Sequence, residues 1–248
     1  MKNSKSDVIK IKLDKEPYEE GQKIFTASSI SIKPGINSLV GCNGSGKSTY
    51  LKQLETYLRH NDIPCCFYND RQDGGFHKAE AQLEFFGNPR LAASMFCSSE
   101  GERIVLGFSD IIGGLQNTFR KLQSQGHDTF VLGMDCFDSG MSVDMIEEIR
   151  DMFTDLVLPD AKNRYGINVY LVVAGNTFEW CEGLDINNID IVTGKELCIN
   201  TYNDWRDAVM ETRKYKDKRE EQFAKFREAE KEEVCRRTGV KDRRHFDD

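Results

Sequence analysis

Nine residues constrain this chain more than any others: Gly41-Cys42-Asn43-Gly44-Ser45-Gly46-Lys47-Ser48-Thr49. They follow a short apolar run, Ile36 to Val40, and open a helical pattern that reaches about Arg59. The order strand, loop, helix is the context that G-x-x-x-x-G-K-[ST] needs in order to mean more than a glycine turn capping a helix. Glycines let the backbone close tightly around a chain of phosphates with its N–H groups inward, and the helix that follows adds the positive end of its dipole. Asn43, Gly44, Ser45, Gly46 and Thr49 would complete this cradle. Lys47 would reach the β and γ phosphates of a nucleotide, and the Ser48 hydroxyl would be a magnesium ligand.

The composition suits such a fold. A chain of 248 residues, 39% hydrophobic and 30% charged, can bury a large core as one α/β domain with small appendages. No apolar run approaches the length of a bilayer span, and the start, Met1-Lys-Asn-Ser-Lys, lacks the apolar stretch of a secretory signal. The eight cysteines form no C-x-x-C pair and the four histidines show no metal-ligand spacing, so free thiols in a reducing cytoplasm are expected. A net charge of −7 and a pI of about 5.3 argue against a protein built for generalised binding to a phosphate backbone. DNA is therefore not indicated by charge.

Along the chain, Val8 to Leu13 and Ile24 to Ile32 alternate as strands do. Tyr18 and Phe25 are candidates to stack on adenine, although an aromatic on a strand is more often core. Ile63 to Tyr68 reads as a strand whose polar end offers Gln72 as a sensor of metal and γ-phosphate, with a plain surface loop as the competing reading. Ser99, followed three residues later by Glu102, forms a capping box heading a helix to about Leu122. A helix start with a serine hydroxyl and Gly101 beside it is suited to an anion.

Thr129 to Met134 is a buried-strand run that ends in Asp135, the Walker B arrangement in which the carboxylate holds magnesium through its water shell. A helix over Val143 to Leu156 is expected to close at Pro159. The strand Ile167 to Val173 leads into Ala174-Gly175-Asn176-Thr177, and a hairpin is predicted from Ile189 to Ile199, turning at Thr193-Gly194. Beyond Asp204 charge dominates: residues 211 to 248 carry 13 Lys/Arg against 11 Asp/Glu. There Trp205 and Val209 are expected to dock on the core. The remainder reads as a solvated helix, a partner-binding arm or a segment without fixed structure.

Taken together, the loop at 41–49, the Ser99-Glu100-Gly101-Glu102 segment and the Asp135 strand with Asp138-Ser139-Gly140-Met141-Ser142 behind it resemble the ATP-binding cassette class of P-loop ATPases. The resemblance runs in order from about residue 8 to residue 195. It implies a mixed, largely parallel α/β sheet, an N-terminal antiparallel β segment and a short helical lobe carrying the signature motif. The ATPase domain would span 1–203 and a charged C-terminal helix or tail 204–248. It further implies ATP and magnesium as ligands, held in a head-to-tail homodimer in which Ser99 and Gly101 touch ATP from the partner copy.

Two departures bear on turnover. Cys136 stands where the class has its catalytic glutamate, and a buried thiol is a poor base. Asn176 stands where the switch histidine is expected. Asp138 is the candidate replacement base, unless it merely stabilises its turn. Hydrolysis is accordingly expected to be slow or partner-dependent.

Only 26 residues separate Gln72 from Ser99, which is short for a transporter's helical lobe and leaves no room for long coiled coils. A compact, soluble, non-transporter cassette ATPase is what the resemblance leaves, a type whose relatives include DNA-repair, chromosome and phage-defence ATPases; it admits an effector or a nucleic-acid-processing protein as partner and implies no membrane. Three readings stay open: an ATPase whose ATP-bound homodimer drives a conformational change, a hydrolysis-deficient ATP-dependent dimerisation switch that scaffolds an effector, and a transporter's nucleotide-binding subunit.

Overall fold

The computed structural model describes residues 8–17, 23–69, 114–135, 138, 141–183 and 185–238. Strands β1 (Ile9–Lys12) and β2 (Ser29–Ile32) pair antiparallel in a ribbon of their own. The second is shorter than its sequence pattern. The Thr26 and Ala27 N–H groups both donate to the Val192 carbonyl, at 2.9 and 3.1 Å, so this stretch bonds to the edge of the main sheet before the ribbon begins.

Among the described residues the main sheet has six strands: β3 (Gly35–Val40), β4 (Cys65–Asn69), β5 (Thr129–Asp135), β6 (Asn168–Ala174), β7 (Asn187–Asp190) and β8 (Glu196–Leu197). Their order is β4-β5-β6-β3-β7-β8, parallel throughout except for β8, which turns back on β7 as the predicted hairpin. β5 and β6 are apolar at nearly every position because both faces are covered. Val169, Leu171 and Val173 enter one cluster while Tyr170, Val172 and Ala174 enter the other. Such unbroken runs are what a parallel sheet between helices requires.

Helix α1 (Lys47–His60) covers one face through Tyr50, Leu51, Leu54 and Leu58, together with Ile11, Ile30 and Ile32 of the ribbon. The other face is covered by α2 (114–124) through Leu115, Phe119 and Leu122, by α3 (Val143–Met152) through Ile146 and Ile149, and by α4 (Leu158–Tyr165) through Ala161 and Tyr165. Pro159 does not end a helix, as its position in the sequence suggested. It lies in the first turn of α4, and the helical path reaches it through one wide π turn at Phe153–Val157. A proline ring collides with the carbonyl four residues back, and a widened turn relieves that collision without stopping the helix.

Helix α5 (Tyr202–Thr238) is one continuous element of 37 residues, about 55 Å long. It docks through Trp205, Ala208 and Val209 against Val40, Cys181 and Ile199, and further on through Tyr215 against the α1 side of the core. Among the described residues no helix is long and apolar enough to cross a membrane. The predicted signature-bearing lobe lies outside them.

Candidate functional site

The carboxyl ends of β3, β6 and β5 stand side by side, because β6 pairs with β3 on one flank and β5 on the other. Each end delivers part of one polar constellation, as open α/β sheets commonly do in the crevice outside their strand ends. From β3 comes the glycine-rich loop. Its last glycine, Gly46, has φ +111°, and a Cβ there would stand 2.5 Å from Ile24 Cγ2 and 2.9 Å from Phe25 Cε1. Both the torsion and the close approach demand glycine. Gly46→Ala is expected to lower unfolding free energy by about 3 kcal/mol, from a left-handed torsion and an overlap in packed core. Urea denaturation measures this, and an unchanged midpoint would contradict the packing described.

Lys47 begins α1 and is buried. Its ammonium donates to the carbonyl oxygens of Gly41 (2.7 Å) and Cys42 (3.4 Å) and to Asn176 Oδ1 (3.1 Å), tying the loop to the end of β6. One residue on, Ser48 Oγ donates to Asp135 Oδ1 at 3.0 Å, tying α1 to the end of β5. A hydroxyl and a carboxylate at this distance are the hard oxygen donors that magnesium prefers, so the pair fits that ion. Asn43 and Gly44 form the exposed crest of the loop, Thr49 is half-buried, and Ser45 is buried with its hydroxyl unpartnered.

Asp138 closes the arrangement. Its Oδ2 accepts the backbone N–H of Asn176 at 2.5 Å, and Gly175 leaves room for it, since a Cβ there would be 3.0 Å from that oxygen. The residue is 5% exposed and Oδ1 has no hydrogen-bond partner. Burial lifts the carboxyl above the ordinary aspartate value, against the opposing pull of the Asn176 N–H, its own backbone N–H, the nearby Thr177 hydroxyl and the Lys47 charge. A buried carboxylate with one satisfied oxygen, one unsatisfied oxygen and a raised pKa is equipped to take a proton. Cys181, held near Ser38 below the site, is a different case. Burial pushes its thiol up to about 12, which leaves it inert as a nucleophile.

Lys47, Ser48, Asp135, Asp138 and Asn176, dispersed over 130 positions of sequence, thus come together. Phe25 does not join them as an adenine platform: it is 0% exposed, packed under Gly46 as core. Tyr18, Gln72, Ser99, Gly101, Cys136, Ser139 and Gly140 lie outside the described residues.

Sequence reasoning missed one contributor, helix α5. The Cys42 N–H donates to Thr212 Oγ1 at 2.8 Å, and Arg219 Nη2 donates to the Gly44 carbonyl at 3.2 Å. The signal was present in the spacing. Trp205, Ala208, Thr212, Tyr215 and Arg219 recur at alternating steps of three and four, a helix stripe in which only some positions are apolar. Compared with family models the chain matches none, and comparison with curated proteins gives no match either.

Proposed function

We propose that this chain binds Mg-ATP at the loop 41–49 and hydrolyses it to ADP and phosphate, slowly or under the stimulus of a partner, as a compact non-transporter ATPase of the ATP-binding cassette class. The observation that supports this best is the convergence of Lys47, the Ser48–Asp135 pair, Asn176 and Asp138 at the ends of three neighbouring strands. Loop amides and the Lys47 ammonium hold the phosphates; charge-assisted hydrogen bonds of this kind are the strong ones. Ser48 and Asp135 would hold magnesium, which when bound neutralises charge on the phosphate oxygens. Asn176 directs its side chain at the Lys47 end of the site and presents its backbone N–H to Asp138, fixing the carboxylate. Asp138 Oδ1 takes a proton from the attacking water. With a base set back from the Walker B aspartate and an uncharged asparagine as its neighbour, turnover is slow. Two copies close around the nucleotide, each offering its Ser99 region to the other's phosphates, and the dimer transmits its state to an effector.

Ser48→Ala tests the magnesium half of this reading. Titration calorimetry with ATP should find that magnesium tightens binding to the native chain and that the variant loses this gain, by about tenfold, the worth of one hydrogen bond to a charged group. Magnesium that changes nothing in the native chain would remove Ser48 and Asp135 from the role.

A further inference from the structure

Two of the three nitrogens of Arg219 are in an uncommon state. Nη2 donates to the Gly44 carbonyl, while Nε and Nη1 are shielded from solvent and have no hydrogen-bond partner. A guanidinium cannot discharge itself by losing its proton, so shielded N–H donors on it are costly unless an acceptor arrives. Its neighbour one turn earlier differs. Lys216, whose Nζ would lie 3.2 Å from a Cβ on Gly44, is matched by Glu220 at 3.5 Å. Among the described residues Arg219 has no such carboxylate, and it is held against the crest of a loop whose amides suit phosphate.

The placement is built in. Thr212, 3% exposed, accepts the Cys42 N–H, Tyr215 packs against the core, and Arg219 follows on the same helix stripe. Beyond it Phe223 is only half-buried, beside Arg227 of its own helix, and Phe226 is exposed. Among the described residues, the helix's contacts with the core and the loop run from Trp205 to Arg219.

We propose that Arg219 is a phosphate-binding residue acting in cis: α5 brings its guanidinium to the loop, and as the side chain turns toward a bound nucleotide the Nε and Nη1 N–H groups, shielded until then, donate to oxygens of the phosphate chain. This rests on the ATP-binding reading above and adds to it a ligand residue from the segment beyond the sheet. Nε and Nη1 lie on different edges of the guanidinium and donate separately, from a planar, permanently charged group that one hydrogen bond already anchors to the loop, whereas lysine offers only a point charge. α5 thereby becomes part of the nucleotide site.

The test uses the full chain with Arg219→Ala, Arg219→Gln and Arg219→Lys, titrated with Mg-ATP and with inorganic tripolyphosphate. Arg219→Ala should weaken both ligands about tenfold, the effect of losing charged hydrogen bonds, with Gln as weak as Ala and Lys recovering part of the loss. Glutamine keeps most of the stem and keeps donors, so it serves where alanine unseats the helix. Thermal melting without nucleotide should barely move for Gln and Lys. If all three variants bind as the native chain does, Arg219 merely pins the helix and the proposal is wrong. A loss for ATP without one for tripolyphosphate would also overturn it, placing the guanidinium at the base or sugar. A native chain that binds neither ligand would instead bring down the underlying reading, and Lys47→Ala distinguishes the two. Where Lys47→Ala abolishes binding and Arg219→Gln leaves it intact, only the present proposal fails.

Discussion

Lys47→Ala is expected to reduce affinity for Mg-ATP by more than a hundredfold, about 3 kcal/mol, because it removes the buried ammonium at the head of the loop helix. The loss comes from two sources. The phosphates forfeit a charge-assisted donor, and the loop forfeits the ammonium that holds the Gly41 and Cys42 carbonyls to Asn176. Equilibrium binding measured with a fluorescent ATP analogue reads the first. Retained affinity in Lys47→Ala would show that nucleotide, if it binds, binds elsewhere.

The second large effect belongs to Asp138 and separates its chemistry from its structural role. Asp138→Asn preserves the shape and the oxygen that accepts the Asn176 N–H, but it removes the base. Turnover should fall by about a hundredfold or more, the usual contribution of a positioned base, while ATP affinity holds. Stability should move the other way. The folded chain raises the pKa of this carboxyl, so folding favours its protonated form. Its contribution to stability is present below the ordinary aspartate value and is lost as pH rises through the raised one. Above that window the native chain carries a buried, half-satisfied carboxylate that the asparagine variant lacks. Denaturant titrations across pH should show the variant gaining on the native chain as pH rises, while native turnover climbs over the same window. A variant that is destabilised at neutral pH with full turnover would make Asp138 a turn residue and leave the base unassigned.

These two residues also mark how far the sequence was legible. Lys47 was readable because the loop it holds is local: the pattern around it specifies the Gly41 and Cys42 carbonyls, the left-handed Gly46 and the helix start within ten positions. Asp135 was readable because a seven-residue strand buried on both faces is apolar until it emerges, so the first carboxylate marks its end. Asn176 needed the family resemblance to be singled out. Its meeting with Lys47 depends on β6 lying between β3 and β5, and a strand order is a long-range property that no local pattern encodes. Pro159 misled for a physical reason, since a proline stops a helix only when the turn before it cannot widen, and here it does. α5 was hardest. Its docking stripe mixes Trp205, Thr212, Tyr215 and Arg219, and hydrophobic periodicity is blind to a threonine that accepts a loop amide and to an arginine that grips a carbonyl.

Hydrogen exchange of the full chain, followed by mass spectrometry with and without Mg-ATP, locates the ligand on the fold without presuming where it sits. The amides of residues 42–49 and 175–178 should slow markedly on adding Mg-ATP, and that protection should vanish in Lys47→Ala. Protection confined to other segments, or none at millimolar nucleotide in a folded native chain, would contradict a triphosphate held at the ends of β3, β5 and β6.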